Sequence, residues 1–212
     1  MKVKVELWVA GLVALSVLVG VYAYPRMPDL MASHWDARGE VNGHMSKFWG
    51  VFLLPIVLAG VGGILLVLPR IDPLRKNIES FRDYFDRFII LISLFLFVVY
   101  VHTLLWNAGV MLNTMVLVSV GLAAVFYYLG VLLPHAKRNW TVGIRTPWTL
   151  SSEVVWDKTH ALGGKLYKAM GVIALLGVFV PQYTLVVVVV PIIALSFYLI
   201  VYSFLEFRKL EK

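Results

Sequence analysis

The sequence predicts an all-α polytopic membrane protein, a bundle of about six transmembrane helices with one amphipathic helix at the inner surface. Of its 212 residues, 60% are hydrophobic and 15% are charged, whereas a soluble domain has about 45–50% and about 25%. Residues 88–133 and 169–205 contain no Asp, Glu, Lys or Arg. One crossing takes about 20 helical residues, so each stretch must cross twice. A soluble enzyme, a disordered chain and, since cysteine is absent, a disulfide scaffold are excluded.

Turn-forming residues divide the apolar stretches into spans. The predicted spans are residues 7–24, 49–68, 88–106 and 110–133, followed by two that Pro181 and Gln182 separate. An alternative for residues 1–24 is a signal peptide with a cleavage site at 21–23, which leaves the remaining topology unchanged. Residues 72–88 begin with Asp72 as a helix cap and repeat apolar residues at helical spacing, which predicts the amphipathic helix on the inner leaflet.

The basic residues predict the orientation. All but three of the 19 lysines and arginines fall in the two termini and in the second and fourth loops. By the positive-inside rule both termini are cytoplasmic, in a multi-pass protein of the cell membrane. The net charge of +7 therefore requires no direct nucleic-acid partner. We divide the chain into a two-span unit, residues 1–70 with the extracytoplasmic loop 25–48, and a four-span unit, residues 71–212 with the cytoplasmic segment 134–168.

The extracytoplasmic loop is polar and holds two histidines. Four residues within it, His34, Asp36, Glu40 and His44, have side chains that suit zinc or another divalent transition ion. Their spacing matches no strong zinc signature, so contact with a ligand or a purely structural role is the preferred interpretation. The candidate ligand-binding residues of this loop are His34, Asp36, Gly39 and Lys47. The predicted spans contain no Asp, Glu, Lys or Arg, and His102 is their one histidine. Because ion-coupled transporters keep ionisable groups inside the membrane, a protein of this class is disfavoured.

The cytoplasmic segment is the most distinctive part of the chain. Two tryptophans and two arginines precede a helix that Ser151 or Ser152 caps. The alternatives are packing at the inner interface and a partner surface. The candidate partner-binding residues are Asn139, Arg145, Thr146, Trp148, Glu153, Trp156 and Asp157. No catalytic constellation can be inferred from one helix, so we expect neither catalysis nor a cofactor.

These two segments resemble a known family. The run NWTVGIRTPWTLSSEVVWDKTHALGG is similar to the signature of the SdpI family, membrane proteins named for immunity to a sporulation-delay toxin. The residues that carry this resemblance are Asn139, Gly143, Ile144, Arg145, Thr146, Pro147, Trp148, Thr149, Leu150, Ser151, Trp156, Thr159, Gly163 and Gly164. The first half resembles a small domain of unknown function that often precedes this signature, through Pro25, Pro28, His34, Gly39, Lys47 and Pro55.

The resemblance implies an immunity protein rather than an enzyme. Such a protein protects its cell from a secreted antimicrobial peptide toxin at the outer face, and can signal by holding a transcriptional repressor at the cytoplasmic face. The expected partners are therefore the lipid bilayer, a peptide toxin and a repressor. Two alternatives stay open: a metal-dependent membrane enzyme or metal-binding protein that uses the loop histidines and carboxylates, and a small-solute transporter.

Overall fold

Within residues 4–210, six helices are long and strongly apolar, which confirms an all-α polytopic membrane bundle. The computed structural model describes residues 4–210; Lys2 and Lys212, which entered the charge distribution, lie outside the described residues. The helices long and apolar enough to cross a membrane are α1 (Val5–Ala23), α2 (Lys47–Ile71), α4 (Arg82–Asn107), α5 (Thr114–Leu132), α7 (Glu153–Leu175) and α8 (Thr184–Arg208). Two short helices, α3 (Arg75–Glu79) and α6 (Pro147–Ser151), lie between them.

Turn chemistry sets the ends of the central helices. Helix α4 ends at Asn107, and Gly109 adopts a φ of +92°, which an L side chain rarely tolerates. The side-chain oxygen of Asn113 accepts hydrogen bonds from the N–H groups of Met115 and Val116. This cap makes α5 begin at Thr114, four residues later than predicted. The turn between α7 and α8 contains Pro181, as the sequence predicts.

A β-hairpin replaces the loop predicted between the first two spans. Strand β1 (Leu30–Trp35) pairs antiparallel with β2 (Val41–Ser46), with register shifts near His34. The connecting turn places Gly39 at a φ of +82°. The strands were not predicted, because they have too few regularly alternating apolar residues to be recognised from the sequence. The hairpin defines what we call the hairpin end of the bundle.

The segment between α2 and α4 differs from the continuous amphipathic helix that the sequence predicts. A break at Ser80 and Phe81 separates α3 from α4. The predicted apolar stripe exists, but Ile78, Phe81 and Phe85 are almost fully buried. They pack in one cluster with α1 and with Trp156. The stripe therefore belongs to the core of the protein rather than to a helix that rests on lipid.

Two groups of three helices make up the bundle. Helices α1, α2 and α4 pack against one another, as do α7 with α5 and α8, and the contact of α4 with α5 joins the groups. The α5–α7 contact is close, because a Cβ atom at Gly171 would lie 2.7 Å from the backbone nitrogen of Tyr127 and one at Gly130 would lie 2.5 Å from that of Lys168. Small residues allow such backbone contact between membrane helices.

Helix α4 separates the two predicted functional regions. Near its start the Tyr84 ring stacks on the ring of His135, with centroids 3.8 Å apart. At its other end the side chain of Asn107 bonds to the backbone of Ala32 in β1. Its 26 residues extend about 39 Å at a rise of about 1.5 Å per residue. The hairpin and the segment around residues 135–151 thus lie at opposite ends, and we call the latter the segment end.

Candidate functional sites at the two ends of the bundle

The hairpin turn is organised around Asp36. One carboxylate oxygen accepts hydrogen bonds from the backbone N–H groups of Arg38, at 2.8 Å, and Glu40, at 3.0 Å. The Arg38 side chain lies 3.5 Å from the Asp36 carboxylate and 3.7 Å from that of Glu40. The hydrogen bond from Glu40, then that from Arg38 and its charge, hold the pKa of Asp36 below its ordinary value. Asp36 therefore stabilises the turn.

Side-chain contacts attach the hairpin to the bundle and join its two strands. Asn107 accepts a hydrogen bond from the Ala32 N–H at 2.8 Å and donates to the Ala32 carbonyl at 3.0 Å. The Lys47 ammonium lies 3.0 Å from the carboxylate of Asp29, and the His34 Nδ1 atom pairs with the Asn42 side-chain oxygen. Lys47 therefore braces the base of the hairpin, while His34 joins its two strands.

The structure does not bring the four predicted metal ligands together. Within residues 4–210, no group of three or more His, Asp or Glu side chains is arranged to hold a metal ion. The Asp36 oxygens are used by the turn, and His34 pairs with Asn42 across the strands. In the register, His44 lies opposite Ala32 while His34 lies opposite Gly43. The set His34, Asp36, Glu40 and His44 therefore makes no metal centre in this conformation.

The hairpin presents a polar surface to its surroundings. Along β2 the exposed residues Asn42, His44 and Ser46 alternate with half-buried ones, which is the pattern of a strand with one face on the protein. His34 in β1 is exposed as well. The sheet has only two strands, so one side of β2 carries no neighbouring strand. This surface is the part of the hairpin end that a partner could contact.

A cavity of about 420 Å³ lies beneath the hairpin. Its wall combines hairpin residues with four helices: Ser33, His34, Trp35, Met45, Trp49, Gly50, Leu53, Leu54, Val99, His102, Thr103, Thr114, Met115, Leu117, Val118 and Leu185. Trp35 and His102 lie beside each other, with ring centroids 5.8 Å apart. Within the described chain, the Trp35 Nε1 and His102 Nδ1 atoms are buried without a hydrogen-bond partner. The sequence indicated His102 as an exception but not this cavity.

At the segment end, Asn139 organises a tight loop. Its side-chain nitrogen donates to the carbonyls of Lys137 and Val142, and its oxygen accepts from the N–H groups of Thr141 and Val142. Asn139 is fully buried. Because its donors and acceptors are already used inside the loop, Asn139 has a structural role here.

Two side chains of α7, Trp156 and His160, bind the backbone on either side of the same loop. The buried indole of Trp156 donates to the carbonyl of Ala136 at 2.7 Å and stacks on the His160 ring at 4.0 Å. His160 accepts a hydrogen bond from the Ile144 N–H at Nε2, and its Nδ1 atom donates to the Trp156 carbonyl. This arrangement requires neutral imidazole with the proton on Nδ1. Gly143, at a φ of +120°, leaves room for the imidazole.

The other predicted residues of the segment divide by exposure. Thr146 is buried, caps α6 and pairs with the Ser203 hydroxyl at 3.0 Å. Trp148 packs on Phe204, with ring centroids 5.0 Å apart. The three exposed members of the predicted set are Arg145, whose guanidinium donates to the Trp140 carbonyl, Glu153, 3.5 Å from Arg138, and Asp157.

Two acidic residues that the sequence did not link to the segment anchor this end. The Asp72 carboxylate, 3% exposed, accepts hydrogen bonds from the Leu74 and Trp140 N–H groups and from the Thr141 hydroxyl. Glu206 is buried and pairs with Lys158 and Lys209. Asp72 was recognised only as a local helix cap, since nothing in the sequence links it to residues 140 and 141. Glu206 had one signal, an acid directly after a long apolar run.

Comparisons with known proteins cover both regions. Residues 135–203 match the model of the SdpI/YfhL protein family, and residues 11–59 match that of a domain of unknown function, DUF1648. Immunity protein SdpI of Bacillus subtilis (strain 168) is 25% identical over 180 residues, which is 84% of each chain. No solved structure matches. The segment end and the hairpin thus each fall within, or directly beside, a region that a family model recognises.

Proposed function

We propose that this chain is an integral membrane immunity protein of the SdpI family that binds a secreted antimicrobial peptide toxin, because models of a DUF1648 region and of the SdpI/YfhL family match it in that order along the sequence. The observation that carries this proposal is the similarity to an immunity protein over 84% of both chains. Family models match both the hairpin region and the segment region. The similarity therefore includes the polar regions at the two ends and is not limited to apolar spans.

Toxin binding belongs at the hairpin end in this proposal. The hairpin offers a polar surface through His34, Asn42 and His44, and it is braced on the bundle by Asn107 and Lys47. A preorganised surface binds with little loss of conformational entropy. Asp36 and Gly39 shape the turn of this surface, so of the four predicted ligand-binding residues only His34 is placed for direct contact.

The orientation that this proposal needs has the hairpin outside and both termini in the cytoplasm. The charge distribution favours it. Since the chain has no cysteine, the exposed serines at positions 46 and 151 can serve as reporters. We expect an impermeant maleimide to label S46C in intact cells and S151C only after permeabilisation. Labelling of both variants in intact cells would contradict the orientation.

The segment end is proposed to contact a cytoplasmic repressor. Arg145, Glu153, Asp157 and the exposed indole of Trp140 are available for this contact. The buried members of the predicted set, Asn139, Thr146 and Trp156, would act by maintaining the shape of the segment. Where a repressor gene lies beside this one, the wild-type chain should pull down its product, and changing Arg145 to Glu should abolish this binding.

A complementation experiment tests the main proposal. The chain would replace the immunity protein SdpI of Bacillus subtilis, and survival would be counted after exposure to the toxin which that protein counters. We expect survival at least tenfold above an empty vector. Changing His34, Asn42 and His44 together to alanine should abolish protection, whereas His135→Ala, at the segment end, should not. Survival equal to that of the empty vector would contradict the proposal.

A further inference from the structure

We propose that the cavity beneath the hairpin is a lipid site, which holds the ester-bearing end of a phospholipid acyl chain. This inference goes beyond the immunity function and does not depend on it. It begins from two buried nitrogen atoms, Trp35 Nε1 and His102 Nδ1, that have no partner within the described residues. A buried polar group without a hydrogen bond is unfavourable, so a bound molecule that supplies an acceptor would stabilise the protein.

The cavity is more polar on its hairpin side and apolar farther along the spans. The polar groups come from the hairpin and from the ends of α4 and α5, at Trp35, His102 and Thr114. The wall farther from the hairpin includes Leu54 and Val99. Leu54 lies seven residues from the start of α2 and Val99 eight residues from the end of α4, whereas His102 lies five residues from that end, so the apolar wall extends about 10–12 Å inward at a rise of about 1.5 Å per residue. An acyl chain with its ester has the same gradient.

The hydrogen-bonding groups favour an ester over a peptide. The Trp35 indole can only donate, and His102 donates from Nδ1 when the Thr114 hydroxyl, 3.0 Å away, donates to Nε2. An acyl ester brings acceptors and no donor. A peptide would also bring backbone N–H groups, which the apolar depth of the cavity would leave without partners. The cavity therefore fits a lipid better than an inserted segment of chain.

The sides of the cavity permit entry from the bilayer. Helix α2 packs against α1 and α4, while α8 packs against α7 and α5, so the two lie apart on either side of the cavity. The side chains that line it from these helices include Trp49 and Leu185, which are 50% and 37% exposed. In a membrane protein, exposed apolar residues at the level of a span meet lipid. An acyl chain can reach the cavity there without crossing the polar hairpin.

Photo-crosslinking in nanodiscs tests the assignment with the full chain. The probe is a phosphatidylglycerol that carries a diazirine early in one acyl chain, and mass spectrometry maps its products. We expect the label to concentrate on residues that line the cavity. Val118→Trp, which fills the cavity, should reduce this label at least tenfold. Trp35→Phe, which removes the N–H and keeps an aromatic but smaller ring, should reduce it about fivefold, the factor expected for one hydrogen bond.

Trp8→Phe is the matched control, because Trp8 is exposed on α1 and does not line the cavity. Its label should equal that of the wild-type chain. Thermal unfolding identifies a variant that fails to fold; if Trp35→Phe does, Val118→Trp decides alone. Label spread evenly over all six spans, or unchanged in Val118→Trp, would overturn the proposal. So would a cavity that takes up a diazirine-labelled apolar peptide but not the phospholipid. None of these outcomes alters the survival measured in the complementation experiment.

Discussion

The two ends of the bundle use their polar groups differently. At the segment end, Asn139, Trp156 and His160 each have their donors and acceptors matched inside the protein. At the hairpin end, Trp35 and His102 each retain a buried nitrogen without a partner in the described chain. Arg138 Nε and Thr159 Oγ1 at the segment end are also buried without a partner in the described chain, so unpaired polar atoms alone do not separate the two ends. The difference is that the Trp35 and His102 side chains line a cavity of about 420 Å³, which gives the hairpin end room for a ligand, whereas the matched network around Asn139 and Trp156 makes the segment rigid.

The largest expected effect is the loss of the Trp156 side chain. Trp156→Ala removes a fully buried indole and leaves the Ala136 carbonyl unpaired, which should lower the free energy of unfolding by about 3–5 kcal/mol. Trp140→Ala, in the same segment, removes an indole that is 53% exposed and should change it by less than about 0.5 kcal/mol. Thermal unfolding in detergent measures both. Equal losses would contradict the proposed role of Trp156.

The sequence predicted the class of fold because the bilayer constrains it strongly. Span number and the turns at Gly109 and Pro181 depend on composition or local chemistry, and the structure confirms them. The family model confirms the position of the signature segment. The cavity and the Asp72 bridge join residues more than 60 positions apart. No local pattern in a single sequence carries such information. The sequence also did not show which side chains are exposed to solvent, so the buried Asn139 and the exposed Arg145 were both predicted to contact a partner.

A smaller effect separates two glycines that share a left-handed conformation. Gly143 at the segment end and Gly109 at the hairpin end have φ values of +120° and +92°. A Cβ atom at Gly143 would collide with the His160 imidazole, whereas nothing lies within 4 Å of one at Gly109. We expect Gly143→Ala to lower the free energy of unfolding by about 2–4 kcal/mol and Gly109→Ala by about 1 kcal/mol. Similar melting temperatures for both variants would contradict the tight packing of the segment.

The attachment of the hairpin should be separable from the stability of the bundle. Asn107→Ala removes both hydrogen bonds to Ala32, so the free energy of unfolding should fall by only about 1–2 kcal/mol. Hydrogen exchange of residues 30–46 should nevertheless accelerate markedly. Asn113→Ala, which removes the cap of α5, is the matched control and should leave exchange of the hairpin unchanged. Acceleration in both variants would mean that Asn107 is not the specific attachment.

The smallest effect concerns the pH dependence of the hairpin turn. The hydrogen bonds from Glu40 and Arg38 lower the pKa of Asp36 below its ordinary value of 3.8. A lowered pKa in the folded state means that the contribution of the carboxylate is complete above the unfolded value. It is lost as the pH falls through the lowered folded value.

Exchange of the Arg38 and Glu40 amides, corrected for its intrinsic pH dependence, should therefore accelerate below about pH 4. In Asp36→Asn, which cannot titrate, the corrected rate should not change over this range. Because the unpaired nitrogens of Trp35 and His102 do not touch this carboxylate, lipid labelling of the cavity should persist while the turn loosens. Joint loss of the two would show that the turn and the cavity form one cooperative unit.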